Sequence, residues 1–514
     1  MNHLGKMFFK VFFLALRKDL LFVTIVFFVG ASALPTMGGT IYVDDDAPPE
    51  WYDSSHVLTI QEGINAASVD DTVFVHNGTY YDNFLVDKRV ALIGEDRDHT
   101  ILDGQNDKTI TAVVADSVTI IGFSIQNAQA GSYAVEVCSD FNTISGNNIS
   151  NNEVWAVMLL ECNGNTVSHN IMISNGCSVY IRDASGNTIS NNYVENSSVR
   201  LEFGSTGNVV SDNTFIEGNS HSILLSYSTG NIVSRNNIRS GLNGYGIYVQ
   251  LGSNDNTITD NTIASLTIGG CAMYFDGSSN NTLTNNDISD HVNGIHIVGG
   301  KDNVITLCHL NQNYKGVRAG NADSNVIRWS EFQNNTNYAI ELIGSSNTDI
   351  YGNNFIGNNG ATSEYDQAHI QAYDDSAGAN FWNRNYPLGG NYWSDYEGGD
   401  ALCGPDQNVV GSDGIGDTPY LLRPLNVGNE DKYPLITPWP RVCGDSNDDG
   451  LVTVLDAVYL IGYLLKSGPE PIPHWCVGNA NGDMKTNIED IMFLIDYVFR
   501  NGTAPMPGCC ESLM

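Results

Sequence analysis

An Asn-x-(Ile/Val/Leu) phrase returns at Asn142, Asn165, Asn187, Asn208, Asn231, Asn256, Asn281, Asn303 and Asn325, with a looser copy at Asn347, at intervals of 23, 22, 21, 23, 25, 25, 22, 22 and 22 residues. Units this short cannot bury an apolar face alone, so they stack on their neighbours and the chain becomes a solenoid. Leucine-rich repeats have a similar period, but their Leu phrases and helical segment are missing. Each unit instead carries three short β-type stretches between Asn/Gly turns, as in Asn256-Thr-Ile258-Thr-Asp-Asn261-Thr-Ile263 followed by Ala272-Met273-Tyr274-Phe275. The pattern predicts an all-β domain, a right-handed parallel β-helix of three-strand coils, from about Thr40 to Trp382. Asparagine is expected because it tolerates left-handed turn backbone and bonds its own main chain, and stacked copies would form ladders inside the turns.

At the start of the array Thr59-Ile-Gln-Glu62 reads as a capping box opening a short helix, Gln61 to Ala67, before a strand Thr72 to Val75. Such a helix would plug the open end of the stack.

One strand aligns across ten coils, with Glu136, Met158, Tyr180, Arg200, Leu224, Tyr248, Tyr274, His296, Arg318 and Glu341 each between two apolar residues. Side chains alternate along a strand, so the middle residue faces out in every coil. Tyr180, Arg200, Tyr248, Tyr274, His296 and Arg318 thereby form a candidate binding stripe, suited to the flat faces and hydroxyl edges of a polysaccharide. The next outward column holds Arg182, Glu202, Ser226, Gln250 and Asp276. Tyr and Arg are also simply good strand residues, so the stripe alone does not decide between a groove and a plain surface. Glycoside hydrolysis asks for two carboxyls about 5 to 9.5 Å apart. Glu202 and Asp276 lie three rungs apart, too far, and no catalytic residue is assigned. Whether the chain is a glycosidase, a lyase using Arg182 or Arg200 beside Glu202, or no enzyme at all stays open.

With 514 residues and a net charge of −35, the chain exceeds one ordinary domain and is strongly acidic. The charge argues against nucleic acid and anionic membranes as partners. Lys6, Lys10, Arg17 and Lys18 precede the apolar run Leu20 to Val29 and then Ala31-Ser32-Ala33, which reads as a signal peptide over residues 1–33. The run is shorter than the roughly 20 residues of a membrane span, so a secreted or cell-surface protein with no span after cleavage is expected.

Near the C-terminus two loops carry oxygen ligands at alternate positions: Asp445, Asn447, Asp449, Leu451 (by its carbonyl), Thr453 and Asp456, then Asn479, Asn481, Asp483, Lys485, Asn487 and Asp490. Calcium takes six to eight hard oxygens at about 2.3 to 2.6 Å, and a twelve-residue loop of this kind delivers them, with a glycine sixth, here Gly450. The second loop has Met484 in place of the glycine and Asn479 in place of the first carboxylate, so weaker binding is expected there. Each loop feeds an apolar helical pattern, Ala457 to Leu465 and Ile491 to Phe499. A third cluster, Asp406, Asp413 and Asp417, reads as a glycine-turn cluster or another calcium site. Cys138, Cys162, Cys177, Cys271 and Cys308 are scattered packing residues, while Cys443, Cys476, Cys509 and Cys510 bracket the C-terminal module, where bridges would help a small core.

Residues 442 to 499 resemble a type I dockerin, with aspartate at the twelfth loop position and no entering helix. The resemblance implies a small all-α calcium-binding domain over residues 441–514 that docks on a cohesin-bearing scaffold through Val454-Leu455 and Ile488-Glu489. Tyr42-Val43-Asp44-Asp45-Asp46, Thr59-Ile60-Gln61, Asp71-Thr72-Val73, Gly78-Thr79-Tyr80 and Leu92-Ile93-Gly94 look like the entry of secreted β-helix proteins of the carbohydrate-binding and sugar-hydrolase type. Gly390-Asn391-Tyr392-Trp393-Ser394-Asp395-Tyr396, Asp413 to Tyr420 and Asp431-Lys432-Tyr433-Pro434-Leu435 look like the closing segment of NosD-like β-helix proteins, so the β-helix domain is placed at residues 34–440. The NosD likeness raises copper handling, which needs clustered His, Met or Cys. His291 and His296 are the nearest histidines, without a Met-rich or His-x-His run. The chain thus reads as a secreted polysaccharide-binding protein carried on a scaffold, with polysaccharide degradation an open alternative; the rival is a non-enzymatic adhesin or envelope protein.

Overall fold

Each repeat forms one coil of a parallel β-solenoid in the computed structural model, which describes residues 38–106, 109–129, 131–218, 220–241, 244–376, 378–386, 388–425, 429–439, 443–447, 452–466, 468, 471, 475–483, 485–500 and 502–505. The chain divides into residues 1–37 and 38–514, and the expected signal peptide lies outside the described residues. No helix among the described residues is long and apolar enough to cross a membrane.

A typical coil runs Thr143–Ser145, Asn148–Ser150, Trp155–Leu160, and each strand pairs in parallel with its counterpart one coil on, Thr166–Ser168, Ile171–Ile173 and Cys177–Arg182. Among the described residues the first strands build a sheet of 15 and the other two a sheet of 25. Inward positions such as Ile144, Ile149, Val157 and Leu159 are fully buried and repeat coil after coil. The first sheet turns a face of Thr and Ser outward, as at Thr257 and Thr259 against Thr282 and Thr284. Three separate strands per coil do not hold in the longest units: Thr262–Asp276 and Asp287–Val298 run continuously through the second corner, with a bulge between Ala264 and Gly269.

The expected ladders are present, but for a different reason. The left-handed backbone falls on the residue before each repeating asparagine, at Phe141, Gly164, Gly186, Gly207, Gly230, Asp255, Asn280, Asp302 and Ser324. The asparagine itself is buried and bonds the next coil: Asn187 N and Nδ2 both donate to Asn208 Oδ1 at 2.9 and 3.0 Å, and Asn208 Nδ2 donates to Asn231 Oδ1 at 3.1 Å. The looser copy at Asn347 is one place out of register, taking the left-handed position (φ 55°) while Thr348 holds the ladder position. A second ladder climbs through Asn147, Asn170, Asn192, Asn213, Asn236, Asn261 and Asn286.

At the N-terminal end helix α1, Ile60–Ala66, buries Ile60 and Ile64 on the core. It starts one residue earlier than predicted because Thr59 is its N-cap, accepting from Glu62 N while Glu62 Oε2 accepts from Thr59 N. At the other end the closing motifs form an aromatic plug. Trp393 stacks on Phe355 and on Tyr420 at 4.1 Å each, and Trp382 packs beside them. The plug also ends the ladders on buried carboxylates. The second runs through Cys308, Ser330, Asn353 and Asn391 to Asp431, and a third through Asn313, Asn335, Asn358 and Gln371 to Asp395. Asn380 of the first bonds Asp374.

Beyond Trp439, which stacks on Trp329, helices α2, Val454–Lys466, and α3, Ile488–Arg500, share a second small core of Ala457, Leu460, Ala480, Ile491 and Leu494. Cys443 is disulfide-bonded. Cys509 and Cys510 lie outside the described residues, as does the Cys476 side chain. Cys162, Cys177, Cys271 and Cys308 are buried free thiols as expected, whereas Cys138 is exposed.

Candidate functional site

The outward column of the third strands has the predicted register. Glu136 pairs Met158, which pairs Tyr180, then Arg200, Leu224, Tyr248, Tyr274, His296, Arg318 and Glu341, rung upon rung. Arg182, Glu202, Ser226, Gln250 and Asp276 form the neighbouring column. The stripe is more covered than expected, for Tyr180 is only 7% and Leu224 5% exposed. The cover comes from a further outward column that the alternation rule hides: Tyr133, Trp155, Cys177, His221, Tyr245, Cys271, Asn293 and Lys315. It lies three residues before the middle one, because two successive residues turn inward, such as Ala156-Val157 and Ala272-Met273, both buried. The small residue at the first of these places, Ala134, Ala156, Ser178, Ser222, Gly246, Ala272, Gly294 or Gly316, is the signal that would have revealed it.

Two aromatic stretches result. Tyr133, Trp155 and Tyr180 stack at 5.2 and 5.4 Å, and farther on Tyr245, Tyr248, Tyr274 and His296 form a run with centroids 5.0 to 5.3 Å apart. Tyr180 donates to Glu202 Oε2 at 3.1 Å. Burial, then Glu202, pushes the Tyr180 phenol up, and burial, then Asp276, pushes Tyr248 up to about 12. His296 is pushed down to about 4 by burial, then by Arg318. Glu341 ties off the far end, pairing with Lys315 Nζ at 2.5 Å and Arg318 Nε at 3.1 Å. The carboxylates Glu136, Glu202, Asp276 and Glu341 stand three rungs apart, ~14 Å at ~4.8 Å per rung. The face is thus an open run of rings and widely spaced carboxylates; one cavity lies beside Tyr365, Tyr396 and Tyr420 in the closing segment.

In the C-terminal loops the twelfth-position aspartates fold back identically. Asp456 accepts from Asn447 N at 3.3 Å and Thr453 N at 2.7 Å, and Asp490 from Asn481 N at 3.1 Å and Asn487 N at 2.8 Å. Asp445 and Asn479 are buried, Asp483 and Lys485 are exposed, and Asp449, Gly450, Leu451 and Met484 lie outside the described residues. Around the glycine turns, Asp413 accepts from Gly404 N and Ile415 N, and Asp417 from Ala401 N and Leu402 N, so these carboxylates hold main chain.

The copper expectation does not fit the described residues. His291 is fully buried with Nε2 on Ser240 Oγ at 2.7 Å, while His296 sits in the outward column, so they do not converge. Among the described residues the group of three His, Cys, Asp or Glu with converging ligand atoms is Asp44, Asp45 and Asp46, hard oxygens that suit copper poorly.

The fold and face together define a parallel β-solenoid protein with an outward aromatic and cationic stripe. The chain belongs to the family described as periplasmic copper-binding protein (NosD), whose pattern it matches over residues 64–265, 157–293 and 265–398. No curated protein matches it. Among solved structures it is similar to the alginate lyase AlyF-OU02 in complex with G6 (14% identity, TM-score 0.46, covering 61% of this chain and 84% of that one). It is also similar to the family 28 exopolygalacturonase of Yersinia enterocolitica (10%, 0.45, 60% and 78%) and to DFA-IIIase from Arthrobacter chlorophenolicus A6 (14%, 0.43, 66% and 98%).

Proposed function

We propose that this is an exported polysaccharide-binding protein, with residues 441–514 acting as a calcium-loaded, dockerin-like module that attaches it to a cohesin-type scaffold. The observation that carries the first part is the run Tyr245, Tyr248, Tyr274 and His296 on a rigid sheet, ring beside ring at near 5 Å. Such a surface offers apolar faces to sugar rings, with Gln250 and Asp276 alongside for hydroxyls. The spacing of the acids argues against a two-carboxylate hydrolase on this face and for binding.

Two features support the second part. The donor set of the loops is hard oxygen, suited to calcium. The helices also expose matching apolar residues 34 positions apart: Val454 and Ile488, Val458 and Met492, Leu465 and Phe499. The two halves thus present similar apolar patches to a partner. The rival reading is a non-enzymatic adhesin or envelope protein with the solenoid as a rigid spacer, which the aromatic run on the outward face disfavours.

The test is incubation of the calcium-loaded mature protein with neutral and uronic-acid polysaccharides, following retention, reducing ends and ultraviolet absorbance. Retention without products establishes a binding protein, products establish an enzyme, and no retention on any glycan removes the reading.

A further inference from the structure

The coil between Asn187 and Asn208 is the shortest of those marked by the repeating asparagine, 21 residues, and the missing length comes out of the outward face. Its third strand, Val199–Glu202, has four residues where its neighbours Cys177–Arg182 and His221–Ser226 have six. Ladder pairing starts only at Val179 with Val199 and at Val199 with Ile223, and Cys177 meets this coil through the Ser198 carbonyl, on its Sγ at 3.4 Å, rather than through an outward side chain. The covering column is therefore broken by a notch one rung wide.

Arg200 turns toward it, its Nε donating to Ser198 Oγ at 3.2 Å. That is its sole hydrogen bond among the described residues, and no carboxylate lies within ion-pair distance. In a chain of 58 Asp and Glu against 23 Lys and Arg, a guanidinium without an acid is a group whose partner is absent. Glu202, two residues on, is engaged instead by the Tyr180 hydroxyl. His221, 8% exposed, borders the same notch. Its Nδ1 lies 2.9 Å from Ser220 Oγ, and its Nε2 is buried with no partner among the described residues. Burial, then Arg200, pushes this imidazole down to about 4, so it is neutral at ordinary pH. With Nδ1 accepting from Ser220, Nε2 carries a proton that no described residue accepts.

A fork of guanidinium N–H groups beside one imidazole N–H matches a carboxylate, which accepts on two oxygens. The buried Nε2 stays unsatisfied until an acceptor arrives. On either side Tyr180 and Tyr248 flank the site along the stripe. We infer that the notch at Arg200 and His221 is a subsite for the carboxylate of a uronic acid unit, so that the polysaccharide held on this face is an acidic one. This rests on the stripe being a glycan-binding face.

The experiment measures binding of the full chain, by calorimetry at low salt, to oligogalacturonate and oligoguluronate hexamers and to the same hexamers after carboxyl reduction. The wild type should bind at least one acidic hexamer tenfold or more tighter than its reduced form. Arg200→Gln should abolish that preference, and Arg200→Lys should restore part of it. Equal affinity for acidic and reduced forms, or an unaltered preference in Arg200→Gln, overturns the acid subsite. In that case Tyr274→Ala still weakens both forms if the stripe binds glycan. Failure of every hexamer to bind overturns the stripe and the subsite together.

Discussion

Replacing Asn208 by leucine removes the acceptor of Asn187 N and Nδ2 and the donor to Ala184 O, all in the dry interior. Unsatisfied groups there cost ~1 to 3 kcal/mol each, so a loss on the order of 3 kcal/mol is expected in urea unfolding, against little change for the outward Thr257→Ala. Asp431 answers to pH. Burial pushes it up to about 7, although Asn391 N, Asn391 Nδ2, Trp393 Nε1 and Tyr433 N all donate to it. Its folded value lies above that of the unfolded chain, so its contribution is fully present below about pH 4 and is lost as pH rises through about 7. Thermal unfolding from pH 4 to 8 should therefore show a fall in the wild type relative to Asp431→Asn, which has no proton to lose; parallel curves would refute the assignment. At this scale the sequence was half legible. Asn142 to Asn325 stand out and their amide ladders are legible, but the left-handed turn position assigned to them belongs to the residue before. Only the coordinates separate the left-handed Phe141 or Gly164 from the ladder residue after it, because adjacent positions repeat with the same period.

The stripe was legible as an element because unit length and side-chain alternation together set register, and every middle residue from Glu136 to Glu341 pairs as read. Its cover was not, since alternation breaks at Ala156-Val157 and its equivalents and hides Trp155 and Tyr245 one step outside the pattern. Nor was the break in that cover at Arg200, which exists only relative to the two longer neighbouring strands. Tyr274 touches Tyr245, Tyr248 and His296, so truncating it removes the centre of the aromatic run. Tyr274→Ala is expected to weaken glycan affinity by about tenfold, ~1.4 kcal/mol, with the melting transition little changed. Retained affinity for a glycan that binds the wild type would rule the groove out.

For the whole molecule, two cores of unequal size should unfold separately. The solenoid core runs from Ile41 to Leu422, while among the described residues the C-terminal core rests on five buried residues and its loops. A ligand that binds only the folded module at a hundred times its dissociation constant adds ~2.7 kcal/mol. Calorimetry with and without a calcium chelator should therefore lower one small transition and leave the large one in place; an unchanged small transition would mean the loops take no calcium. The solenoid has one more property. In its ladders each amide hands its hydrogen forward to the following coil, and the last recipient is an aspartate of the closing segment. The array therefore reads like a sentence with a full stop: whole coils can be duplicated or deleted upstream of Asp374, Asp395 and Asp431 without rewriting either end. Lineages carrying this chain are expected to differ in coil number while keeping the closing segment.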